Sequence, residues 1–215
     1  MQRRTEKRVD AGRQESDKNK YTNDSLLELA DDLKGGKIAA FPTDTVYGVG
    51  CIYGDRKALH ALKNIKCRPE EKPIPMMASS LEQAADLVEL NDMAKCLAEA
   101  FLPGAMTLIV PVSAKMDREF TNGKETVALR VPNAPQLLEV IEACGKPLMV
   151  SSANISGQPA ALTCQEAVEM LPGMDGVLDG PCRVGIASTI VDCTKDHPVI
   201  LREGPISQAQ IDALF

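Results

Sequence analysis

Pro147-Leu148-Met149-Val150-Ser151-Ser152-Ala153-Asn154-Ile155-Ser156-Gly157 runs from an apolar stretch straight into small hydroxyls, one carboxamide and a glycine. The apolar half has the length of a buried strand. The polar half lies at that strand's end, where a chain turning away leaves side chains to face a ligand. Ser152 and Asn154 are two residues apart, so an extended path through them turns both side chains to one side. A hydroxyl and a carboxamide suit phosphate, ribose and carboxylate oxygens. An Asx or Ser turn that satisfies its own backbone would use the same residues.

Working outward, apolar residues recur at helical spacing through Leu26, Leu29, Ala30 and Leu33, with Asn23 or Asp24 as cap and Gly35-Gly36 as stop. The same spacing predicts helices over 57–65, 81–88, 93–101, 135–143, 165–171 and 207–214. Strands are predicted over 37–41, 74–78, 107–112, 126–131, 148–151, 188–192 and 199–202. The mixture lacks a strict βαβ rhythm, and the expectation is one α/β domain over residues 21–215, built on a twisted, mixed sheet. Residues 1 to about 20 alternate charged and polar groups with almost no apolar residue, which predicts a flexible polar tail.

Apolar residues make up 44% of the 215 positions, enough for a core, but aromatic residues only 3%, so stacking platforms for exposed bases are scarce. Residues 1–20 carry a net charge of +3 and the remainder −9. A body of that sign argues against non-specific nucleic-acid binding, and any cationic pocket must be local. Seven cysteines form no C-x-x-C and have no metal-like spacing to His60 or His197, so reduced thiols and no protein-held metal are expected. No stretch reads as a signal peptide or a membrane span, and the expected setting is cytoplasmic.

Three further segments carry polar chemistry. Pro42-Thr43-Asp44-Thr45-Val46-Tyr47-Gly48-Val49-Gly50 follows a strand and reads as a glycine-eased loop whose hydroxyls face a cleft, or as an ordinary turn. Lys66-Cys67-Arg68-Pro69-Glu70-Glu71-Lys72-Pro73 is bounded by prolines; if extended, Lys66 and Arg68 converge on one polyanion, and otherwise the run is a solvated basic loop. Ser188 and Arg202 each lie beside a short apolar strand. No P-loop, G-x-S-x-G or H-E-x-x-H motif is present.

Taken in order, these segments resemble the YrdC/TsaC family, the threonylcarbamoyl-AMP synthases. The matching pieces are PTDTVYGVG (42–50), KCRPEEKP (66–73), PGAMTLIV (103–110), VALRVP (127–132), SSANISG (151–157), the Ser188-containing STIVD and ILREG (200–204). The resemblance implies a twisted sheet curved around a positively lined cavity. It also implies a reaction in which L-threonine, bicarbonate or carbon dioxide, and ATP give threonylcarbamoyl-AMP and pyrophosphate. The product would pass to a transferase complex that makes N6-threonylcarbamoyladenosine in tRNA, with at most a weak tRNA contact here. Mg²⁺ would accompany the ATP.

By the same resemblance Lys66 and Arg68 would be catalytic. Arg68, Lys72, Thr126, Asn154 and Arg202 would hold ATP, and Thr45, Arg130, Ser152 and Ser188 would hold threonine. Two departures stand out: Cys67 occupies a place where the family usually has Gly, implying strain if the position needs φ > 0, and Met77 replaces a His of some members. The chain ends at Phe215 soon after ILREG, and the expectation is a single-domain form that either closes by an internal loop, with Met116 to Lys124 as the candidate, or does not close. The competing readings are a non-catalytic RNA-binding protein of the same fold and a carbamoyl-transfer module.

Overall fold

The computed structural model describes residues 19–215. In chain order the strands are β1 (Asn19–Tyr21), β2 (Ala39–Phe41), β3 (Gly48–Ile52), β4 (Met76–Met77), β5 (Met106–Pro111), β6 (Thr126–Arg130), β7 (Leu148–Ser152), β8 (Gly176–Leu178), β9 (Thr189–Asp192) and β10 (Val199–Arg202). The helices are α1 (Leu26–Lys34), α2 (Arg56–Ile65), α3 (Leu81–Ala84), α4 (Asp92–Phe101), α5 (Pro135–Cys144), α6 (Cys164–Met170) and α7 (Gln208–Asp212). All ten strands form one mixed sheet in the order β1-β8-β2-β3-β7-β4-β6-β5-β9-β10.

Strand alternation divides the core in two. Ala39, Phe41, Leu148 and Val150 turn toward α1 and α5, where Leu29, Leu33, Leu137, Val140 and Ile141 bury against them. Ala40, Val49, Cys51 and Met149 point the other way, into a larger core with Leu59, Leu62 and Leu97 from α2 and α4. Burying a side chain the size of Phe41 contributes roughly 1.5–3 kcal/mol. The α1/α5 layer covers only one end of its face. The rest of that face, across β4, β6, β5, β9 and β10, is left for a cavity.

Three strands escaped the sequence reading. β1 takes Asn19 and Lys20 out of the expected tail and pairs them in parallel with β8; residues 1–18 of that expectation lie outside the described residues. β8 is only three residues long and too short for a periodic signal. β3 was expected to be a loop because of Gly48 and Gly50, yet both glycines are there for close packing: a Cβ at Gly48 would lie 2.9 Å from Val150 Cγ1 and one at Gly50 2.8 Å from Met149 O.

Two predicted elements are shorter than expected. The 74–78 strand contracts to β4 because Pro73 and Pro75 have no N–H to donate, although Pro75 still accepts from Val150 N at 2.8 Å. The 81–88 helix stops at Ala84, and the chain then bridges Val88 to Val112 beside β5. The segment 116–124 does not act as a lid over the open face. Met116 and Phe120 are buried in the α2 side of the core. Its carboxylates and amide are held by α2 through Arg56–Asp117, His60–Glu119 and Lys63–Asn122, all at about 3 Å.

α2 begins with Asp55 accepting from Ala58 N at 3.0 Å and ends in a Schellman turn, with Cys67 N bonded to Asn64 O and Arg68 N to Lys63 O. The turn needs a left-handed residue at Cys67, whose φ is +48°. The expected strain is present, and the extended path expected from Lys66 to Arg68 is not: Lys66 has helical dihedrals, φ −84° and ψ −5°. Because Cys67 is exposed, a glycine there loses no packing. Cys67→Gly is expected to stabilise the fold by about 0.5–1 kcal/mol, read as a higher urea midpoint at constant slope; an unchanged or lower midpoint would show that the turn carries no strain.

Candidate functional site

The uncovered part of the sheet face is crossed by a row of paired residues. Gly48 faces Ser152, Met77 faces Arg130, Thr107 faces Ile190, and Ile190 faces Arg202. Arg202 joins this row through a bulge at Leu201, which shifts the register between Ile200 and Arg202. All of these residues line one cavity of about 200 Å³, together with Thr43, Thr45, Arg68, Ser151, Ser152 and Ser188. Its wall contains three arginines and no carboxylate side chain, so the cavity is positively lined.

Each arginine is oriented by backbone carbonyls. Arg68 donates from Nε to Lys72 O at 3.1 Å and from Nη2 to Pro73 O at 2.7 Å, so its own proline-bounded loop folds it back toward Ser151. Arg202 grips Ser188 O through Nε at 3.0 Å and Nη2 at 2.8 Å, with Nη2 also 3.2 Å from Ser188 Oγ. Arg130, 4% exposed, donates to Gly104 O at 3.0 Å, Thr45 Oγ1 at 2.9 Å and Asp44 Oδ1 at 2.6 Å. Desolvation lowers the pKa of all three guanidinium groups; at Arg130 the Asp44 carboxylate pulls the other way.

Lys66 does something else. Its ammonium turns inward, 1% exposed, and donates to Ser152 O at 2.5 Å and Asn154 O at 2.6 Å. Lys66 O in turn accepts from Ser156 N at 3.0 Å. The end of α2 and the polar turn after β7 are therefore one unit. Burial, reinforced by the nearby Arg68, lowers the Lys66 pKa to about 8. Asn154 is also structural on one side, its Nδ2 donating to Ile155 O and Gln158 O at 2.8 and 2.9 Å. Those two carbonyls fix the amide orientation and leave Asn154 Oδ1 buried without a partner.

Of the ten residues singled out in the sequence, six line the cavity: Thr45, Arg68, Arg130, Ser152, Ser188 and Arg202. Lys66 and Asn154 stand behind its wall. Lys72 is exposed and contributes a carbonyl to Arg68. Thr126 shares the sheet face of Arg130 but lies at the other end of β6 and is not among the lining residues. Sequence reasoning passed over Thr43, Asp44, Thr107 and Ser151. Thr107 Oγ1 pairs with Ser188 Oγ at 2.8 Å, and a lone hydroxyl opening a strand gave no signal. Asp44 was visible only as a turn residue, because its partner Arg130 is 86 positions away.

Residues 31–204 match the Sua5/YciO/YrdC family model, described as Telomere recombination. The chain is 36% identical over 199 residues to the threonylcarbamoyl-AMP synthase of Bacillus subtilis, covering 90% of this chain and 58% of that relative. It is 42% identical to a putative threonylcarbamoyl-AMP synthase of Mycobacterium leprae, covering 83% and 82%. The solved structure of Pyrococcus abyssi Sua5 complexed with L-threonine superposes with a TM-score of 0.86 at 33% identity, covering 91% of this chain and 60% of that one. The chain thus spans little more than half the length of the Bacillus relative. With a family model matched over most of its length and the expected motifs gathered on one sheet face, this chain belongs to the Sua5/YciO/YrdC family.

Proposed function

We propose that this protein is an L-threonylcarbamoyladenylate synthase, which joins L-threonine, bicarbonate or carbon dioxide, and ATP into threonylcarbamoyl-AMP and pyrophosphate for tRNA modification in the cytoplasm. One observation carries the reading: a hydroxyl-rich cavity lined by three arginines and no carboxylate, in a chain whose relatives bear that enzyme's name. In the reaction the threonine amine becomes a carbamate, a carbamate oxygen attacks the α-phosphorus, and pyrophosphate leaves. Charge accumulates on phosphoryl oxygens, where fixed guanidinium donors lower the barrier.

Arg68 and Arg202 serve the phosphates on this reading, and Arg130 with Thr45, Ser152 and Ser188 serves the amino acid. Lys66 acts as a positioning residue that holds the turn bearing Ser152 and Asn154. Asn154 would reach the nucleoside by turning its buried, unpartnered Oδ1 toward the cavity, and as it stands it shapes the turn that carries Ser152. Lys72 and Thr126 would reach ATP from outside the cavity. The wall offers no carboxylate to hold a metal, so Mg²⁺ would accompany the ATP as part of the substrate and would supply charge neutralisation at its phosphates. The product passes to a separate tRNA-modifying transferase.

Incubation with ATP should release pyrophosphate only when both L-threonine and bicarbonate are supplied, and release without threonine would refute the reading. Arg68→Ala should lower kcat/KM by the equivalent of about 2–4 kcal/mol while leaving the melting temperature nearly unchanged. Wild-type turnover in that variant would reduce the cationic segment to a solvated loop.

Lys66 also predicts a pH effect on stability. Its folded pKa of about 8 lies below the ordinary 10.5, so between these values the unfolded chain holds the extra proton and this residue's contribution to stability rises with pH. The neutral amine keeps two N–H groups, enough for both carbonyls. Relative to Lys66→Met, the wild type should therefore gain about 2 kcal/mol of unfolding free energy between pH 7.5 and 9.5. Urea titrations of both proteins check this, and a constant difference would mean the ammonium is not desolvated.

A further inference from the structure

The hydroxyls of the 43–46 segment have their directions fixed by their partners. Thr43 Oγ1 lies 2.7 Å from Val46 O, and a carbonyl can only accept, so the single Thr43 proton is committed there. Thr43 Oγ1 also accepts from Thr45 N at 3.0 Å. In the 2.9 Å contact between Thr43 Oγ1 and Thr45 Oγ1, Thr45 must therefore be the donor. Thr45 Oγ1 in turn accepts from Arg130 Nη1 at 2.9 Å. Its proton is used, one lone pair is used, and one lone pair remains on a residue that lines the cavity.

Arg130 yields to the same count. Of its five N–H groups, one goes to Gly104 O, one to Thr45 Oγ1 and one to Asp44 Oδ1, leaving one each on Nη1 and Nη2. Arg130 and Thr45 both line the cavity, so what they offer a ligand is two donors and one acceptor, the complement of a carboxylate whose neighbouring carbon carries an N–H or O–H. That pattern excludes a second anion at Thr45.

We propose that Thr43 is a positioning residue that fixes the Thr45 hydroxyl as an acceptor toward the cavity, so that the amino-acid subsite pairs two Arg130 donors with one Thr45 lone pair. This rests on the threonine reading above. Thr43 itself need not touch the substrate. Without its oxygen the Thr45 proton is released, swings to the cavity side, and sets donor against donor where the substrate presents N–H or O–H.

The test uses the full chain with calorimetric titration of L-threonine and, separately, of ATP, together with thermal unfolding. Thr43→Val is expected to weaken threonine binding about ten-fold with ATP affinity unchanged, and Thr43→Ser, which restores the oxygen, to recover wild-type threonine affinity. Wild-type threonine affinity in Thr43→Val overturns the proposal. So does a parallel loss of threonine and ATP binding, or a failure of Thr43→Ser to recover, since either marks a merely structural role. If Thr43→Val does not fold, Thr43→Ala takes its place; if neither folds, Thr43 supports the fold and not the subsite. A wild-type protein that binds no threonine removes the enzyme reading and this inference with it, an outcome distinct from normal wild-type binding with an unaffected Thr43→Val.

Discussion

The Lys66 ammonium, held between Ser152 O and Asn154 O, is the contact on which the rest of the site depends. It joins the C-terminus of a helix on one side of the sheet to the end of a strand whose side chains line the other. A buried lysine carries a desolvation cost that an apolar residue would not, so its presence is not explained by stability alone. What it supplies is register. With the ammonium in place, α2 cannot slide along β7 without abandoning both carbonyls, and the Schellman turn that follows delivers Arg68 to the cavity edge. The strained Cys67 belongs to the same device: a turn this tight needs a left-handed residue at that position, whether or not glycine occupies it.

The cavity exists because the sheet is covered unevenly. α1 and α5 pack over the β2-β3-β7 end of one face, helped by Gly48 and Gly50, which let Phe41 and Val150 approach the backbone. Beyond β7 the same face carries Arg130 and Thr107 where a covered sheet would present apolar side chains. Polar residues at core-facing positions break the local pattern, and such breaks are expected where function outweighs packing. On the opposite face the segment 116–124 is fastened by its pairs with α2.

Most of the fold was legible because helices announce themselves by spacing: Leu26, Leu29 and Leu33, or Ala58, Leu59 and Leu62, bury as their periodicity requires. What stayed hidden was set by partners far away in the chain. β1 and β8 are three residues each and exist because they pair with one another. Gly48 and Gly50 looked like loop residues because nothing local shows that Phe41 and Val150 cross over them. In the candidate site, the spacing of Ser152 and Asn154 assigns both side chains to the cavity, whereas only Ser152 lines it and Asn154 turns its amide nitrogen into the turn. Lys66 stands out in the sequence as a cation, yet its helical backbone sends the ammonium to the carbonyls of Ser152 and Asn154 behind the wall and not to the cavity.

Charge compensation distinguishes the three arginines of the cavity. Arg130 alone has a carboxylate partner, Asp44 at 2.6 Å, both nearly inaccessible to solvent. Among the described residues no carboxylate lies within ion-pair distance of Arg68 or Arg202, which are held by neutral carbonyls instead. A guanidinium already balanced by Asp44 adds little net attraction for a polyanion, but it can hold one carboxylate of a zwitterion by geometry. The uncompensated pair retains its full field and suits the phosphates, whose charge is larger and grows in the transition state. On the proposed function this asymmetry sorts the substrates before any shape selection acts. ATP phosphates set against Arg130 would meet the Asp44 carboxylate, while an amino acid set against Arg68 or Arg202 would leave a positive charge unbalanced beside its own ammonium. An overall acidic chain can therefore keep a nucleotide site without becoming a general polyanion binder, because the cavity itself gathers two guanidinium groups that no carboxylate compensates.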